Sequence, residues 1–141
     1  MAGIVNLSEA ASLAMHSLAL IASRRDMTSV GDISGELGVS EFHLSKVMQR
    51  LSRHGLVKST RGPRGGFTLA RDSREITLLD VYEAIEGRLD DTACVMEKKS
   101  CLNGKCILGS TITEMAALFR DHLGGTRISD IMDAYQTGGA R

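Results

Sequence analysis

Apolar residues recur at helical spacing near the start of the chain, and glycine and capping residues interrupt them. A first helix is predicted over residues 8–21 from an apolar stripe that consists of Ala11, Met15, Leu18 and Ala22. A second, short helix is predicted over 33–37. Gly38-Val39 ends it, and Ser40 can cap the next helix. Two helices joined by a glycine turn are typical of a helix-turn-helix unit.

The third predicted helix, over 40–51, has an apolar face and a polar face. The apolar face consists of Leu44, Val47, Met48 and Leu51, and the polar face consists of Phe42, Ser45, Lys46, Gln49, Arg50 and Arg53. Gly55 ends this helix. Two β-like runs, 56–60 and 67–70, then flank a glycine-rich turn that contains Pro63. The pattern predicts a two-stranded wing after the third helix.

The second half of the chain is predicted to be helical on either side of a polar loop. Thr77 and Asp80 have capping-box spacing for a helix that ends near Glu86. A long apolar helix is predicted over 107–123 and a last short helix over 126–135. The fold class is therefore mainly α with a small β wing. We expect a winged helix-turn-helix DNA-binding domain at 1–87, a cysteine-bearing loop at 88–106, a dimerisation helix with the short helix at 107–135, and a tail at 136–141.

The apolar stripe of the long helix has two interpretations. Such a stripe is most often core, but here it follows a winged unit that has already used its own apolar faces. A helix-turn-helix protein also needs two copies to read two half-sites of DNA. We therefore expect a homodimer.

Charge is distributed unevenly along a chain of 141 residues whose formal net charge is zero. Between His43 and Arg71 there are seven positive residues and no acidic one. This block could be a solvated charged surface, but the absence of acids favours contact with DNA phosphates. The residues expected at the double-stranded DNA operator are Ser40, Phe42, His43, Ser45, Lys46, Gln49 and Arg50 in the helix and Arg61, Gly62, Pro63 and Arg64 in the wing. The Phe42 ring could contact a thymine methyl group.

Composition excludes several other classes. A hydrophobic content of 43% is enough for a core, but no apolar run approaches the roughly 18 to 20 residues that cross a bilayer. The N-terminus has no signal-peptide pattern, so we expect a cytoplasmic protein without a membrane partner. We find no phosphate-binding loop or nucleophile motif, and the four histidines are scattered. The sequence predicts neither an enzyme nor a small-molecule substrate.

Three cysteines, Cys94, Cys101 and Cys106, have the spacing C-x6-C-x4-C in the polar loop. Interleaved lysines would favour their thiolate forms. Zinc, an iron–sulfur cluster and a metal-free thiol switch are all compatible with three cysteines, and spacing alone does not separate the two metal sites.

The wing motif Arg-Gly-Pro-Arg-Gly-Gly-Phe at 61–67, the segment Ile-Thr-Leu-Leu-Asp-Val at 76–81 and the cysteine loop occur together. With these motifs the chain resembles, over residues 7–132, the winged-helix iron–sulfur and redox-sensing transcription regulators typified by IscR and NsrR. The resemblance implies a homodimer, a cluster bound by the three cysteines, and DNA affinity set by cluster state. It favours a 2Fe–2S or 4Fe–4S cluster over zinc as the cofactor.

The chain departs from that family at two sites. Some members use a histidine ligand three residues after the last cysteine, where this chain has Gly109. Others use a carboxylate in the first helix, at a position aligned with Ser12, so the candidates for a fourth ligand are Ser12 and its neighbours Glu9 and His16. Ser45 stands where some members carry a glutamate that tunes DNA-site preference.

The predicted function is a transcription regulator, a repressor, whose cluster senses redox state, nitric oxide or cluster supply. One alternative is a repressor without a cluster that responds through thiols or a small molecule. Another is an iron–sulfur or zinc module that does not bind DNA. The sequence leaves the operator, the regulated genes and the physiological signal open.

Overall fold

The computed structural model describes residues 7–89 and 105–136, and it has the predicted class: mainly helical with a small antiparallel sheet. The helices are α1 (Glu9–Ser23), α2 (Val30–Leu37), α3 (Glu41–Arg53), α4 (Leu78–Glu86), α5 (Thr111–Gly125), α6 (Ile128–Ile131) and a 3-10 helix (Met132–Tyr135); the strands are β1 (Val57–Thr60) and β2 (Gly66–Leu69).

Helix α1 is the centre of the core. Ser8 caps it by accepting a hydrogen bond from the Ala11 amide at 3.0 Å, and Leu18 and Leu20 are fully buried. Burial extends around most of the helix because α3, α4, α6 and the 3-10 helix all pack against it. Each fully buried leucine contributes about 1.5–3 kcal/mol of transfer free energy. The N-terminal helix is therefore the element against which most of the described helices pack.

Helices α2 and α3 form the predicted helix-turn-helix. Ser29 and Asp32 make a reciprocal capping box at the start of α2, and the hydrogen bond from the Ser29 side chain lowers the pKa of Asp32. Helix α2 begins three residues earlier than predicted because this cap precedes Val30. Gly38 ends α2 in the left-handed conformation, with φ of 67°. Ser40 then caps α3 as predicted, so the two helices meet across a turn of a few residues.

The wing is an antiparallel hairpin in the register Val57↔Leu69 to Thr60↔Gly66. A third segment joins it: the Thr28 amide donates to the Phe67 carbonyl at 3.1 Å, and the Phe67 amide donates to the Thr28 carbonyl at 2.8 Å. Thr28 directly precedes the cap of α2. The wing is thus hydrogen-bonded to the helix-turn-helix at its base as well as linked to it through α3.

The C-terminal half differs from the prediction at two places. Helix α5 begins at Thr111 and not at Ile107, because Gly109 has φ of 64° and its amide closes a turn onto the Cys106 carbonyl at 3.0 Å. The single helix predicted over 126–135 is instead α6 followed by a tighter 3-10 turn. The predicted α4 is confirmed, with Thr77 and Asp80 forming its capping box.

Candidate DNA interface and cysteine site

The outward face of α3 carries the side chains expected to read DNA. The core-facing residues of this helix are Leu44, Val47, Met48 and Leu51, as predicted. On the other side, Phe42 is 74% exposed, and the Lys46 Nζ lies 4.4 Å from the centre of its ring. This is cation–π geometry, so the aromatic ring and the ammonium group form one unit on the helix surface. Gln49 is exposed one helical turn further on, and Ser45 is half-buried.

Ser40 and His43 have structural partners at the start of α3. The Ser40 hydroxyl oxygen accepts a hydrogen bond from the His43 amide at 3.1 Å, so Ser40 acts as the helix cap. The His43 ring is partly buried, and its Nε2 has no hydrogen-bond partner within the described residues. Both residues were predicted to lie at the DNA surface. In the structure the Ser40 side chain caps α3, and the His43 side chain is partly buried.

The wing turn lies beside α3 and not away from it. A groove of about 620 Å³ is lined by Gln49 and Arg53 of α3, by Arg61 and Gly62 of the wing, and by residues at the start of α2. Arg61, Gly62, Pro63 and Arg64 are all exposed, and Gly62 has φ of 115°. The structure therefore places three of the predicted DNA-contact residues, Gln49, Arg61 and Gly62, at one concave surface whose charged side chains are basic. The other predicted residues do not line this groove.

Two glycines allow this close approach. A Cβ at Gly66 would lie 2.8 Å from the Thr28 carbonyl oxygen and 3.1 Å from the Ser29 nitrogen. A Cβ at Gly65 would overlap the Thr60 carbonyl oxygen across the turn. Since these neighbours are backbone atoms, neither can rotate away. The glycine pair of the wing motif is a packing requirement of this surface.

Arg50 has a different position from that expected of a DNA contact. Its Nη1 donates a hydrogen bond to the Ile85 carbonyl oxygen, in the last turn of α4, at 3.0 Å. Sequence reasoning also missed most of the residues that line the groove, among them Ser29 and Ser52. The capping signal at Ser29 was visible in the sequence, but its place beside the wing depends on tertiary packing.

Cys106 is the one predicted cysteine ligand within the described residues; Cys94 and Cys101 lie outside them. Its side chain is exposed, and its Sγ accepts a hydrogen bond from the Leu108 amide at 3.4 Å. Amide–sulfur hydrogen bonds of this kind tune the properties of a metal-bound sulfur. Over 7–89 and 105–136 there is no group of three or more His, Cys, Asp or Glu side chains placed to hold a metal ion.

The three candidates for a fourth ligand lie together. Glu9, Ser12 and His16 line one cavity of about 350 Å³ on the surface of α1. Tyr135 of the 3-10 helix also lines it, and its Oη lies 2.5 Å from the His16 Nδ1. The structure therefore brings a carboxylate, a hydroxyl and an imidazole to one opening, although Glu9 and His16 were chosen only for their spacing from Ser12.

Helix α5 has one buried side and one exposed apolar side. Ile112, Ala116 and Leu123 are buried, whereas Leu118 is 73% exposed and Met115 is 46% exposed. Met115, Leu118, Phe119 and His122 line a shallow cavity of about 430 Å³. We call this set the α5 apolar surface.

The family follows from comparison with known proteins. The sequence profile of Rrf2, described as an iron-dependent transcriptional regulator, matches residues 7–134. The chain belongs to the Rrf2 family. The predicted resemblance is confirmed, and this Rrf2 chain is a DNA-binding transcription regulator and not an enzyme.

Relatives and solved structures agree with this assignment. The transcriptional regulator IscR of Xenorhabdus nematophila is 31% identical over 111 residues, which cover 78% of this chain and 67% of the relative. The solved structure of CymR, the global cysteine regulator of B. subtilis, has a TM-score of 0.78 at 22% identity and covers 92% of this chain and 98% of its own. The solved structure of T. potens IscR has a TM-score of 0.74 at 23% identity, with 97% and 93% covered. At these identities the two structures support the fold of this Rrf2 chain.

Membrane insertion has no support in the part of the chain that the structure describes. None of its helices combines the length and the apolar character needed to span a bilayer.

Proposed function

We propose that this Rrf2 protein is a homodimeric repressor that binds operator DNA with α3 and the wing, and that a group held by its cysteines sets the DNA affinity. In this organisation residues 1–87 read DNA, 88–106 sense the signal and 107–135 pair two subunits. The observation that carries the DNA-binding part is the basic groove between α3 and the wing turn. An α-helix that enters the major groove of DNA presents its N-terminal residues to the base edges, and a wing beside it reaches the backbone.

The role of the wing is tested by replacing Arg61, which lines the groove. We expect Arg61→Ala to cost about 1–3 kcal/mol in specific DNA binding if the guanidinium enters a groove of the duplex. Arg74→Ala is the matched control, because Arg74 is exposed, pairs with Asp72 at 2.9 Å and lies outside the groove. Equal operator affinity for the two variants, measured by fluorescence anisotropy at moderate salt, would contradict the wing role.

A second copy of the chain is the proposed occupant of the α5 apolar surface. The helix already uses its buried side within the subunit, and the exposed side carries the large residues Met115 and Leu118. Pairing of two such helices would remove apolar area from water and would place two copies of α3 for successive half-sites.

For the sensing group we favour an iron–sulfur cluster on Cys94, Cys101 and Cys106. The described part of the site fits this in two respects: Cys106 is exposed, and the Leu108 amide already donates to its sulfur. Such a group would supply a centre that responds to redox state, nitric oxide or cluster supply. The chain itself would contribute thiolates, amide donors to sulfur and a weaker fourth ligand, which makes a sensor more labile than a stable electron carrier.

The cavity at α1 supports a fourth ligand from Glu9, Ser12 or His16, provided by the partner subunit. Among these, His16 already has the arrangement common in metal-bound histidines: one ring nitrogen is hydrogen-bonded, here to Tyr135, and Nε2 remains for a ligand. Glu9→Gln, Ser12→Ala and His16→Asn should be compared as an isosteric series. We expect one of them to change the visible spectrum or the stability of the cluster and the other two to leave both nearly unaltered.

A repressor without a cluster is the second candidate, because the structural neighbour CymR is described as a global cysteine regulator. Anaerobic purification with ample iron and sulfide separates the two candidates. Brown protein with stoichiometric iron and sulfide, lost on replacement of any one cysteine by alanine, supports the cluster. Colourless protein whose DNA affinity responds to thiol oxidation or to an added small molecule supports the second candidate.

A further inference from the structure

Arg50 links α3, the helix proposed to read DNA, to α4. Helix α4 precedes the cysteine-bearing loop at 88–106, called the cysteine segment below. The Arg50 side chain leaves α3 and donates to the Ile85 carbonyl oxygen through a partly buried hydrogen bond of 3.0 Å. The last carbonyls of a helix have no partner within that helix, and they form its negative pole. A guanidinium at this position both satisfies a carbonyl oxygen and complements the charge of the pole.

A second arginine, on α5, binds the residues that directly follow α4. Arg120 of α5 donates a hydrogen bond to the carbonyl oxygen of Leu89, whose side chain is only 8% exposed. Leu89 is three residues beyond the end of α4 and five residues before Cys94 in the sequence. Residues 85–89 are therefore held by one arginine from the DNA-reading helix and one from the helix proposed to pair subunits.

We propose that Arg50 is a positioning residue that transmits the state of the cysteine segment to α3, and that it is not a phosphate contact. The inference rests on the proposed sensing function. A change in the cysteine segment displaces the end of α4 relative to α5, and the Arg50 hydrogen bond transfers that displacement to α3. Since α3 must match the spacing of the DNA grooves, a small shift changes affinity without any change in the residues that touch DNA.

A phosphate contact and a positioning residue give different salt dependences. Removing one phosphate contact reduces the slope of log affinity against log salt by about 0.9. Removing a positioning residue leaves that slope unchanged and reduces the difference in affinity between the two states of the sensor. Arg53→Ala is the matched control, because Arg53 follows Arg50 by three residues, nearly one turn of α3, lines the DNA groove and is exposed.

The experiment measures operator affinity across a salt series for full-length anaerobic protein, with intact cysteines and with Cys106→Ala. We expect the two backgrounds to differ by roughly fivefold or more in otherwise unaltered protein. Arg50→Ala should bring this ratio close to one with the salt slope retained, and Arg50→Lys, which can still donate, should restore part of the ratio. Arg53→Ala should retain the ratio and lose slope. An Arg50→Ala variant that loses slope and retains the ratio overturns the inference.

A separate measurement covers the case in which the two cysteine backgrounds bind DNA equally. That result would refute the proposed sensing function and leave the position of Arg50 to be tested by hydrogen exchange. Arg50→Ala should then accelerate amide exchange over residues 85–89 relative to Arg53→Ala, because the restraint on the end of α4 is removed. Equal exchange in the two variants would refute the positioning role itself.

Discussion

Replacing Gly66 by alanine tests whether the wing is fixed to the helix-turn-helix. The added Cβ would meet the Thr28 carbonyl oxygen at 2.8 Å and the Thr28 carbonyl carbon at 2.9 Å. Relief requires β2 to move away, which breaks the two hydrogen bonds between Thr28 and Phe67. Each backbone hydrogen bond contributes about 0.5–1.5 kcal/mol net. A Gly→Ala change also lowers the conformational entropy of the unfolded chain, which stabilises the folded state by about 0.4–1 kcal/mol. After this gain is subtracted from the loss of two hydrogen bonds, we expect the free energy of unfolding to fall by about 1–2 kcal/mol.

The assay is urea denaturation followed by circular dichroism, together with operator binding. Gly35→Ala is the matched control, because Gly35 lies within α2 and a Cβ there meets nothing within 4 Å. Alanine is a better helix former than glycine, so this control should gain up to about 1 kcal/mol. Gly66→Ala should also weaken operator binding, since Arg61 would move with the wing. If Gly66→Ala is as stable as Gly35→Ala and binds the operator normally, the steric reasoning is wrong.

Three further predictions concern charge, pairing and specificity. Hydrogen bonds from Arg74 lower the pKa of Asp72 from 3.8 to about 2. The stabilisation from the ionised Asp72 carboxylate is therefore present above pH 4 and is lost as pH falls towards 2. Denaturation midpoints of the original protein and of Asp72→Asn should differ at pH 5 and converge near pH 2. Leu118→Glu should raise the dimer dissociation constant more than roughly tenfold in analytical ultracentrifugation, and an unchanged dimer would exclude the α5 apolar surface as the interface. A Ser45/Gln49 double-alanine variant should select a different DNA consensus, whereas an identical consensus would remove these residues from base recognition.

Local signals in the sequence predicted most of the fold. The N-terminal caps of α1 to α4, Ser40 among them, are set by residues close in sequence. Gly38 adopts the left-handed conformation that glycine tolerates better than other residues. The start of α5 was wrong because Ile107 and Leu108 continue the apolar pattern, while the backbone of Gly109 turns away from a helix. The hydrophobic pattern alone cannot distinguish a non-helical turn that contains apolar residues from the first turn of an apolar helix.

The features that sequence reasoning missed depend on contacts between distant residues. Arg50 faces away from the apolar side of α3, so its sequence position favoured DNA contact; its hydrogen bond to Ile85 follows only from where α4 packs. The pairing of His16 with Tyr135 joins residues 119 positions apart. The candidate ligands on α1 could be named from the sequence, but the cavity that gathers them could not.

The pairing of Thr28 with Phe67 has a consequence for the thermodynamics of recognition. A wing held at its base on two sides loses little conformational freedom when it meets DNA, so binding carries a small ordering cost on the protein side. The conformational change needed for the two surfaces to fit must then come from the DNA duplex. Operators whose base steps bend easily or whose minor groove narrows easily should bind with higher affinity, even where these steps contact no side chain. The preferred sites of this regulator should therefore differ from other DNA as much in flexibility as in the bases that are contacted.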